Sequence, residues 1–131
     1  MAEPRPKVFE YAVELERGGR ATIPDGEALQ PPESWTADHL LLTALLRCSI
    51  DSLAYHAKRA GSSTAASGSA SGRVTMRDSD GRYAFVEIEC RIDASLDPPV
   101  TDPAELTAKA ERDCFVGASL TVKPRYEWHL A

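Results

Sequence analysis

The sequence of 131 residues lacks several features that mark particular classes of protein. It has no apolar run near the roughly 18 residues that a membrane-spanning helix needs, and its first residues lack the apolar core of a secretory signal. Its 15 lysines and arginines form no basic block and face 20 aspartates and glutamates, which gives a net charge of −5. We therefore expect a cytoplasmic protein that binds neither nucleic acid nor a membrane.

Cysteine is scarce, and its spacing argues against two of its common uses. Cys48, Cys90 and Cys114 are odd in number and far apart, unlike the dense, even disulfide framework of a small secreted domain. No Cys-x-x-Cys occurs and the histidines are scattered, so a zinc site would need ligands from distant positions. We therefore expect free thiols, no metal ion and no bound cofactor.

What is present is the composition of one globular domain, with 43% hydrophobic and 27% charged residues. We predict a single domain over residues 1–131, with residues 1–7 as an N-terminal tail. Residues 61–72 are only Gly, Ser, Thr and Ala, and such a segment has too little apolar surface to offset the entropy lost on ordering. We predict a flexible loop there, and an edge strand remains an alternative.

Hydrophobic periodicity predicts an α+β fold. The longest helix has apolar residues over more than half of its circumference, with Thr36 as its N-cap and Gly61 at its end, so we expect it to be central. Prolines and small polar residues predict an irregular link over 24–34. The predicted elements are a β-hairpin over 8–23, a helix over 36–60, a hairpin over 73–92, a helix after Asp102-Pro103 and a strand over 122–130.

Cys48 is the first candidate for chemistry. It lies on one face of the long helix with Leu45 and Ser52, and that face is expected to be packed. A small buried apolar residue is the simplest role for such a cysteine. Because a cysteine in the middle of a helix gains little from the helix dipole, a reactive thiolate here requires a nearby cation, for which Arg20 is a candidate.

The other two cysteines have different predicted surroundings. Cys114 follows the second helix, where it either packs between helices or acts as a second thiol that condenses with an oxidised partner. Cys90 alternates with aliphatic residues on a strand, which predicts a place in the core. His56 lies eight residues after Cys48, about 12 Å along a helix, so it is a poor candidate for a proton donor.

Three segments together resemble a known family. Trp-Thr-Ala-Asp-His-Leu-Leu-Leu-Thr-Ala-Leu-Leu-Arg-Cys at 35–48 resembles the segment before the reactive cysteine of the OsmC/Ohr family, the osmotically inducible and organic hydroperoxide resistance proteins. Ala-Glu-Arg-Asp-Cys-Phe-Val at 110–116 resembles the segment of its second cysteine, and Gly-Gly-Arg at 18–20 is similar to its hairpin arginine. Since the predicted elements follow the order of the family, the resemblance covers nearly the whole chain.

The resemblance implies an intertwined homodimer, with a long helix held between antiparallel sheets, that reduces organic hydroperoxides with its thiols. By position, Cys48 corresponds to the peroxidatic cysteine and Cys114 to the resolving cysteine. Arg20 corresponds to the arginine that stabilises the thiolate, and Asp38 stands where the peroxidases have a glutamate that orients this arginine. The resulting disulfide would be reduced by an external dithiol.

Several alternatives remain open at this stage. Asp38 is shorter than glutamate and about 15 Å along the helix axis from Cys48, so it also fits a simple first-turn dipole residue. Arg20 also fits a solvated hairpin tip, with Arg17 as its nearest competitor. Arg47 is an alternative activator, although adjacent helical residues point about 100° apart, which favours a solvated side chain. The alternative function is a non-catalytic OsmC-like dimer that binds an apolar small molecule.

Overall fold

The computed structural model describes residues 5–131. The chain divides into two compact units, one ending at Thr36 and the other running from Ala37 to Ala131. Of the predicted tail, residues 5–7 have neither helix nor strand, and the rest lies outside the described residues. Within the described part of the chain, no helix is both long enough and apolar enough to cross a membrane.

The N-terminal unit contains a small antiparallel sheet. Its strands are β1 (Glu14–Leu15), β2 (Ala21–Thr22) and β3 (Ala28–Leu29), with β2 in the middle. The predicted hairpin is confirmed by the pairing of β1 with β2, although each strand has only two residues. Gly19 has a φ of 87°, a left-handed conformation that favours glycine, and it allows the turn that places Arg20 directly before β2.

The predicted irregular link over 24–34 is corrected by β3, which lies within it. Gly26 has a φ of 91°, and the Asp25 carboxylate accepts a hydrogen bond from the backbone N–H of Glu27 at 2.9 Å. These local features form a turn that folds the chain back onto β2. Pro31 and Pro32 lie outside regular structure, as predicted, whereas Ala28 and Leu29 form a strand.

The C-terminal unit begins with the long helix α1 (Ala37–Arg59). It starts directly after Thr36, as predicted. At its other end Gly61 adopts a φ of 81°, and the backbone N–H of Ser62 donates to the carbonyl of Ala57 at 2.8 Å. This left-handed glycine ends the helix because it turns the chain back over the last free carbonyls.

The flexible loop predicted over 61–72 is wrong, because most of this segment belongs to the strand β4 (Ser63–Met76), which lies at the edge of its sheet and confirms the alternative of an edge strand. This strand pairs along its whole length with β5 (Tyr83–Asp97), which confirms the second hairpin. Its small side chains are required by packing, since a Cβ on Gly68 would lie 2.6 Å from the carbonyl oxygen of Arg91. The hydrogen bonds of this long ladder, which form between residues distant in sequence, offset the entropy that these small residues lose on ordering.

The remaining elements complete the C-terminal unit. The helix α2 (Pro103–Arg112) begins where Asp102 accepts a hydrogen bond from the N–H of Glu105 at 3.1 Å, as the Asp-Pro signal predicted. The short helix α3 (Phe115–Ala118) follows directly after Cys114, and β6 (Arg125–Leu130) then pairs in parallel with β5. The sheet order is therefore β4-β5-β6.

One face of this sheet packs against α1, and the core contains two clusters. From Ile88 to Leu96, alternate residues of β5 point toward the helices and are buried, whereas the intervening side chains are exposed. These helices and sheets confirm the predicted α+β class, whereas the parallel pair of β5 and β6 corrects the expectation that the sheets are antiparallel throughout. One cluster is formed by Leu53, Ala57, Ala94, Leu96, Leu106 and Ala110. The other is formed by Leu45, Ile88, Cys90 and Cys114, with Cys48 packed against it.

Candidate functional site

The fold brings Cys48 and Cys114 together although they are distant in sequence. Cys48 is half-buried on α1, and Cys114 has no exposed surface at the N-cap of α3. Cys48 packs against the buried cluster that contains Cys114, and both thiols are free. A thiol pair of this kind has the composition required for sulfenic acid formation followed by condensation to a disulfide.

The surroundings of Cys48 favour its protonated form. Burial raises the pKa of this thiol above its ordinary value, and the neighbouring Cys114 raises it further. The backbone N–H groups of Val116 and Phe115 act in the opposite direction, because hydrogen bonds to sulfur stabilise the thiolate. None of these groups carries a positive charge, so a reactive thiolate at neutral pH needs a cation in addition to them.

Cys114 is surrounded by polar groups that the sequence analysis did not identify. The hydroxyl of Ser49 lies 3.5 Å from the Cys114 Sγ and 2.8 Å from the hydroxyl of Tyr126. The backbone N–H of Gly117 donates to the same sulfur at 3.4 Å. One signal was present in the sequence, since a serine next to Cys48 and four residues after Leu45 interrupts a mostly apolar helix.

The positions of Ser49 and Tyr126 are fixed by the helix and the strand that carry them. Ser49 is buried in α1 and donates its hydroxyl proton to the carbonyl of Leu45 at 2.8 Å. Tyr126 is paired with Cys90 across β5 and β6, which turns its ring toward the helices. Burial raises the pKa of the Tyr126 phenol above its ordinary value, so it remains a hydrogen-bond donor at any physiological pH.

Cys90 is a core residue, as predicted. It is 2% exposed and belongs to the same cluster as Cys114. Burial, with a smaller contribution from the charge on a Cys114 thiolate, raises the pKa of Cys90 to about 11. A thiol in this state is a poor nucleophile at neutral pH.

The charged candidates are described within the unit to which each belongs. Arg20 belongs to the N-terminal unit, where its Nη1 lies 3.1 Å from Oε1 of Glu16. Asp38 is exposed in the first turn of α1, about 15 Å along the axis from Cys48. Arg47 is exposed, with Asp51 4.0 Å away, which confirms that it is solvated.

His56 has a structural partner on the segment before Cys114. Its Nε2 lies 2.7 Å from Oδ2 of Asp113, and the Arg112 guanidinium donates to both oxygens of that carboxylate at 2.9 Å. Donation from Arg112, with a smaller effect from His56, lowers the pKa of Asp113 to about 2. His56 therefore connects α1 to the segment that leads into α3. This structural role agrees with the expectation that His56 is a poor candidate for a proton donor.

A cleft of about 460 Å³ borders the buried Cys114. Gly117 separates them, and a Cβ on this residue would lie 3.4 Å from the Cys114 Sγ. Among residues 5–131, no group of three histidine, cysteine or acidic side chains is arranged to hold a metal ion. The cleft is lined by residues that include Glu111, Arg112, Gly117, Lys123 and Tyr126.

Comparison with known proteins identifies the fold. No family model matches the sequence, and no curated protein matches it. An OsmC-like protein of unknown function from Vibrio cholerae is 12% identical with a TM-score of 0.76, covering 92% of this chain and 99% of its own. An OsmC-like protein from Mycoplasma pneumoniae is 15% identical with a TM-score of 0.71, covering 97% and 99%.

Solved organic hydroperoxide resistance proteins are also similar in structure. The protein from Elizabethkingia anophelis is 14% identical with a TM-score of 0.61 and covers 97% of this chain and 100% of its own. OhrB of Bacillus subtilis is 17% identical with a TM-score of 0.54 and covers 93% and 96%. Identities this low establish the architecture alone, and on that basis the chain has the OsmC/Ohr fold.

Proposed function

We propose that the protein is a thiol-dependent peroxidase that reduces organic hydroperoxides, with Cys48 as the peroxidatic cysteine and Cys114 as the resolving cysteine. The observation that carries this proposal is the packing of Cys48 against the buried cluster that contains Cys114. The organic hydroperoxide resistance proteins that share the fold support this substrate class.

The reaction has two steps within the chain. The Cys48 thiolate attacks one oxygen of the peroxide, the O–O bond breaks, and the departing alkoxide takes a proton to become an alcohol. Cys114 then attacks the sulfur of the Cys48 sulfenic acid, so that an S–S bond forms, the S–O bond breaks and water leaves. An external dithiol reduces the disulfide by exchange and is itself oxidised to a disulfide.

A cation must offset the effect of burial on Cys48. We assign this role to Arg20, and its orientation to Asp38, on the resemblance of their sequence segments to the family. In an intertwined homodimer this arginine can come from either copy of the chain. Apolar residues that pack with Cys48 against the same core cluster, including Leu42 and Leu46, favour an alkyl or lipid hydroperoxide over hydrogen peroxide. We place this activity in the cytoplasm, where reducing systems keep thiols available.

The test is stoichiometric oxidation of the reduced protein by cumene hydroperoxide. The intact mass should decrease by two hydrogens, and peptide mapping should join Cys48 to Cys114. Cys48→Ser should abolish peroxide consumption, whereas Cys90→Ala is the matched control and should retain it. Full peroxide consumption by Cys48→Ser would overturn the proposal.

The second candidate is a non-catalytic dimer that binds an apolar small molecule and uses its cysteines for packing. The raised pKa of Cys48 favours this function. The two are separated by the rate at which iodoacetamide alkylates Cys48 at pH 7. A rate no higher than that of a free thiol of pKa about 8.5 supports the binding protein, and a faster rate supports the peroxidase.

A further inference from the structure

The hydrogen bonds around Cys114 define the form in which this thiol is held. A serine hydroxyl has one proton and two lone pairs. The Ser49 proton is donated to the carbonyl of Leu45, so its oxygen accepts from its other two partners, the O–H of Tyr126 and the S–H of Cys114. Ser49 therefore accepts the S–H of a neutral Cys114, as suits a sulfur with no exposed surface.

The resolving step requires the opposite polarity at the same sulfur. Cys114 must lose its proton to attack, and the thiolate that forms is stabilised by hydrogen-bond donors. Gly117 N–H already donates to it. The hydroxyl of Ser49 can become a second donor by rotation about its C–O bond, since its oxygen lies 3.5 Å from the sulfur.

This rotation leaves no group without a partner. The Leu45 carbonyl lies four residues before Ser49 in α1, so it keeps the helical hydrogen bond from the backbone N–H of Ser49. The Tyr126 O–H continues to donate to the Ser49 oxygen and holds it in place. Each hydrogen-bonding group therefore has a partner in both orientations of the Ser49 hydroxyl, which allows exchange between them.

We propose that Ser49 is a catalytic residue of the resolving step, whose hydroxyl accepts from the Cys114 thiol before the attack and donates to its sulfur during it. Tyr126 is a positioning residue that acts through Ser49. The proton of Cys114 goes to the hydroxyl oxygen of the Cys48 sulfenic acid, which leaves as water, and Ser49 neither gains nor loses a proton overall. This inference rests on the proposed assignment of Cys48 and Cys114.

The experiment measures the attack by Cys114 without peroxide. In a Cys90→Ala background, the aromatic disulfide DTNB reacts with Cys48 and releases one thionitrobenzoate. Cys114 then attacks the mixed disulfide at the Cys48 sulfur, the second thionitrobenzoate leaves as the anion, and the thiol proton goes to the buffer. The two absorbance phases therefore report Cys48 and Cys114 separately.

Ser49→Ala should slow the second phase about tenfold and move its pH midpoint upward, because one donor to the forming thiolate is lost. The first phase should be unchanged, and Ser49→Thr, which keeps a hydroxyl, should restore the second phase to within about threefold of the parent. Tyr126→Phe, which tests the same network without a change in α1, should slow it by a smaller factor. Alanine is a good helix former, so the fold of Ser49→Ala should persist.

The two proposals fail in different ways. A second phase with the parent rate and pH midpoint in Ser49→Ala would overturn the role of Ser49 and leave the peroxidase proposal intact. Equal slowing by alanine and threonine would also overturn it, because the hydroxyl would then make no difference. In a third outcome, the parent does not reduce cumene hydroperoxide, although both absorbance phases are preserved and Ser49→Ala slows the second phase. This result would overturn the peroxidase proposal and retain Ser49 as the activator of Cys114.

Discussion

The Nε2 of His56 lies 2.7 Å from Oδ2 of Asp113, and this contact connects the long helix to the residue directly before Cys114. Arg112 holds the same carboxylate from the other side. The segment that carries the second thiol is therefore attached to α1 by a charged side chain as well as by the packing of Cys114 itself. The stability of this attachment should depend on pH.

Asp113→Asn should lower the free energy of unfolding at pH 7. The pKa of the Asp113 carboxyl is about 2 in the folded protein and has its ordinary value, near 3.8, in the unfolded chain. Because the folded value is the lower one, the stabilisation is complete above about pH 4 and is lost as the pH falls through about 2. The difference between parent and variant in urea unfolding should shrink over this range.

The control for this experiment is Asp51→Asn, which removes an exposed carboxylate whose cationic neighbour, Arg47, is 4.0 Å away. Exposed pairs of this kind contribute little, so its unfolding curve should stay close to that of the parent at every pH. Equal effects of the two substitutions, or an Asp113→Asn effect that persists unchanged at pH 2, would contradict the assignment of the linkage to Asp113.

Cys90 should resist alkylation in the folded protein. Its pKa of about 11, raised by burial, leaves almost no thiolate at pH 8, and its side chain is 2% exposed. Iodoacetamide at pH 8 should label Cys90 only in a denaturant such as urea, as followed by peptide mass. Rapid labelling of Cys90 in the native protein, at the rate of an exposed thiol, would show that this part of the core opens easily.

The sequence predicted elements well where their signals are local. The ends of α1 and the start of α2 follow from Gly61 and from Asp102-Pro103, since capping residues act within one turn of the chain. The end of β4 was predicted as part of the second hairpin, but its first part was predicted as a loop, with an edge strand as the alternative, because its residues are small and its partner, β5, follows in the sequence only after a turn. A strand that is held by pairing and close packing has little propensity of its own.

The sequence predicted the cysteines of the candidate site but not the polar residues around them. The cysteines are recognisable as residue types, and the family resemblance named Cys48 and Cys114 as a pair, which the fold places at one core cluster. Ser49 and Tyr126 were not identified because the contact between their hydroxyls depends on how β6 packs against α1, and no local sequence pattern encodes this packing. Polar residues that support a reactive group are found from three-dimensional contacts more easily than from spacing.

Gly68→Ala should destabilise the C-terminal unit by about 1–3 kcal/mol, as overpacking of a core commonly does. The new Cβ would lie 2.6 Å from the backbone oxygen of Arg91, 3.3 Å from Leu46 and 3.3 Å from Ile92, so the strand or the helix must shift. Gly18→Ala is the matched control, because its Cβ would meet no atom within 4 Å, and its effect should stay within about 0.5 kcal/mol. Equal urea midpoints for the two variants would contradict close packing of α1 on β4.

Arg20→Met should slow the oxidation of Cys48 by cumene hydroperoxide about tenfold or more. Burial raises the pKa of the Cys48 thiol, and an opposite charge within a few ångströms is expected to lower such a pKa by at least one unit. Arg17→Met removes the same charge from the same turn and should leave the rate unchanged, which separates a specific role of Arg20 from the net charge of the turn. The measurement is the second-order rate constant of sulfenic acid formation at pH 7, followed by rapid quenching and mass spectrometry. If both variants react at the parent rate, the cation that activates Cys48 is another group; if both are equally slow, the effect belongs to the charge of the turn and not to Arg20.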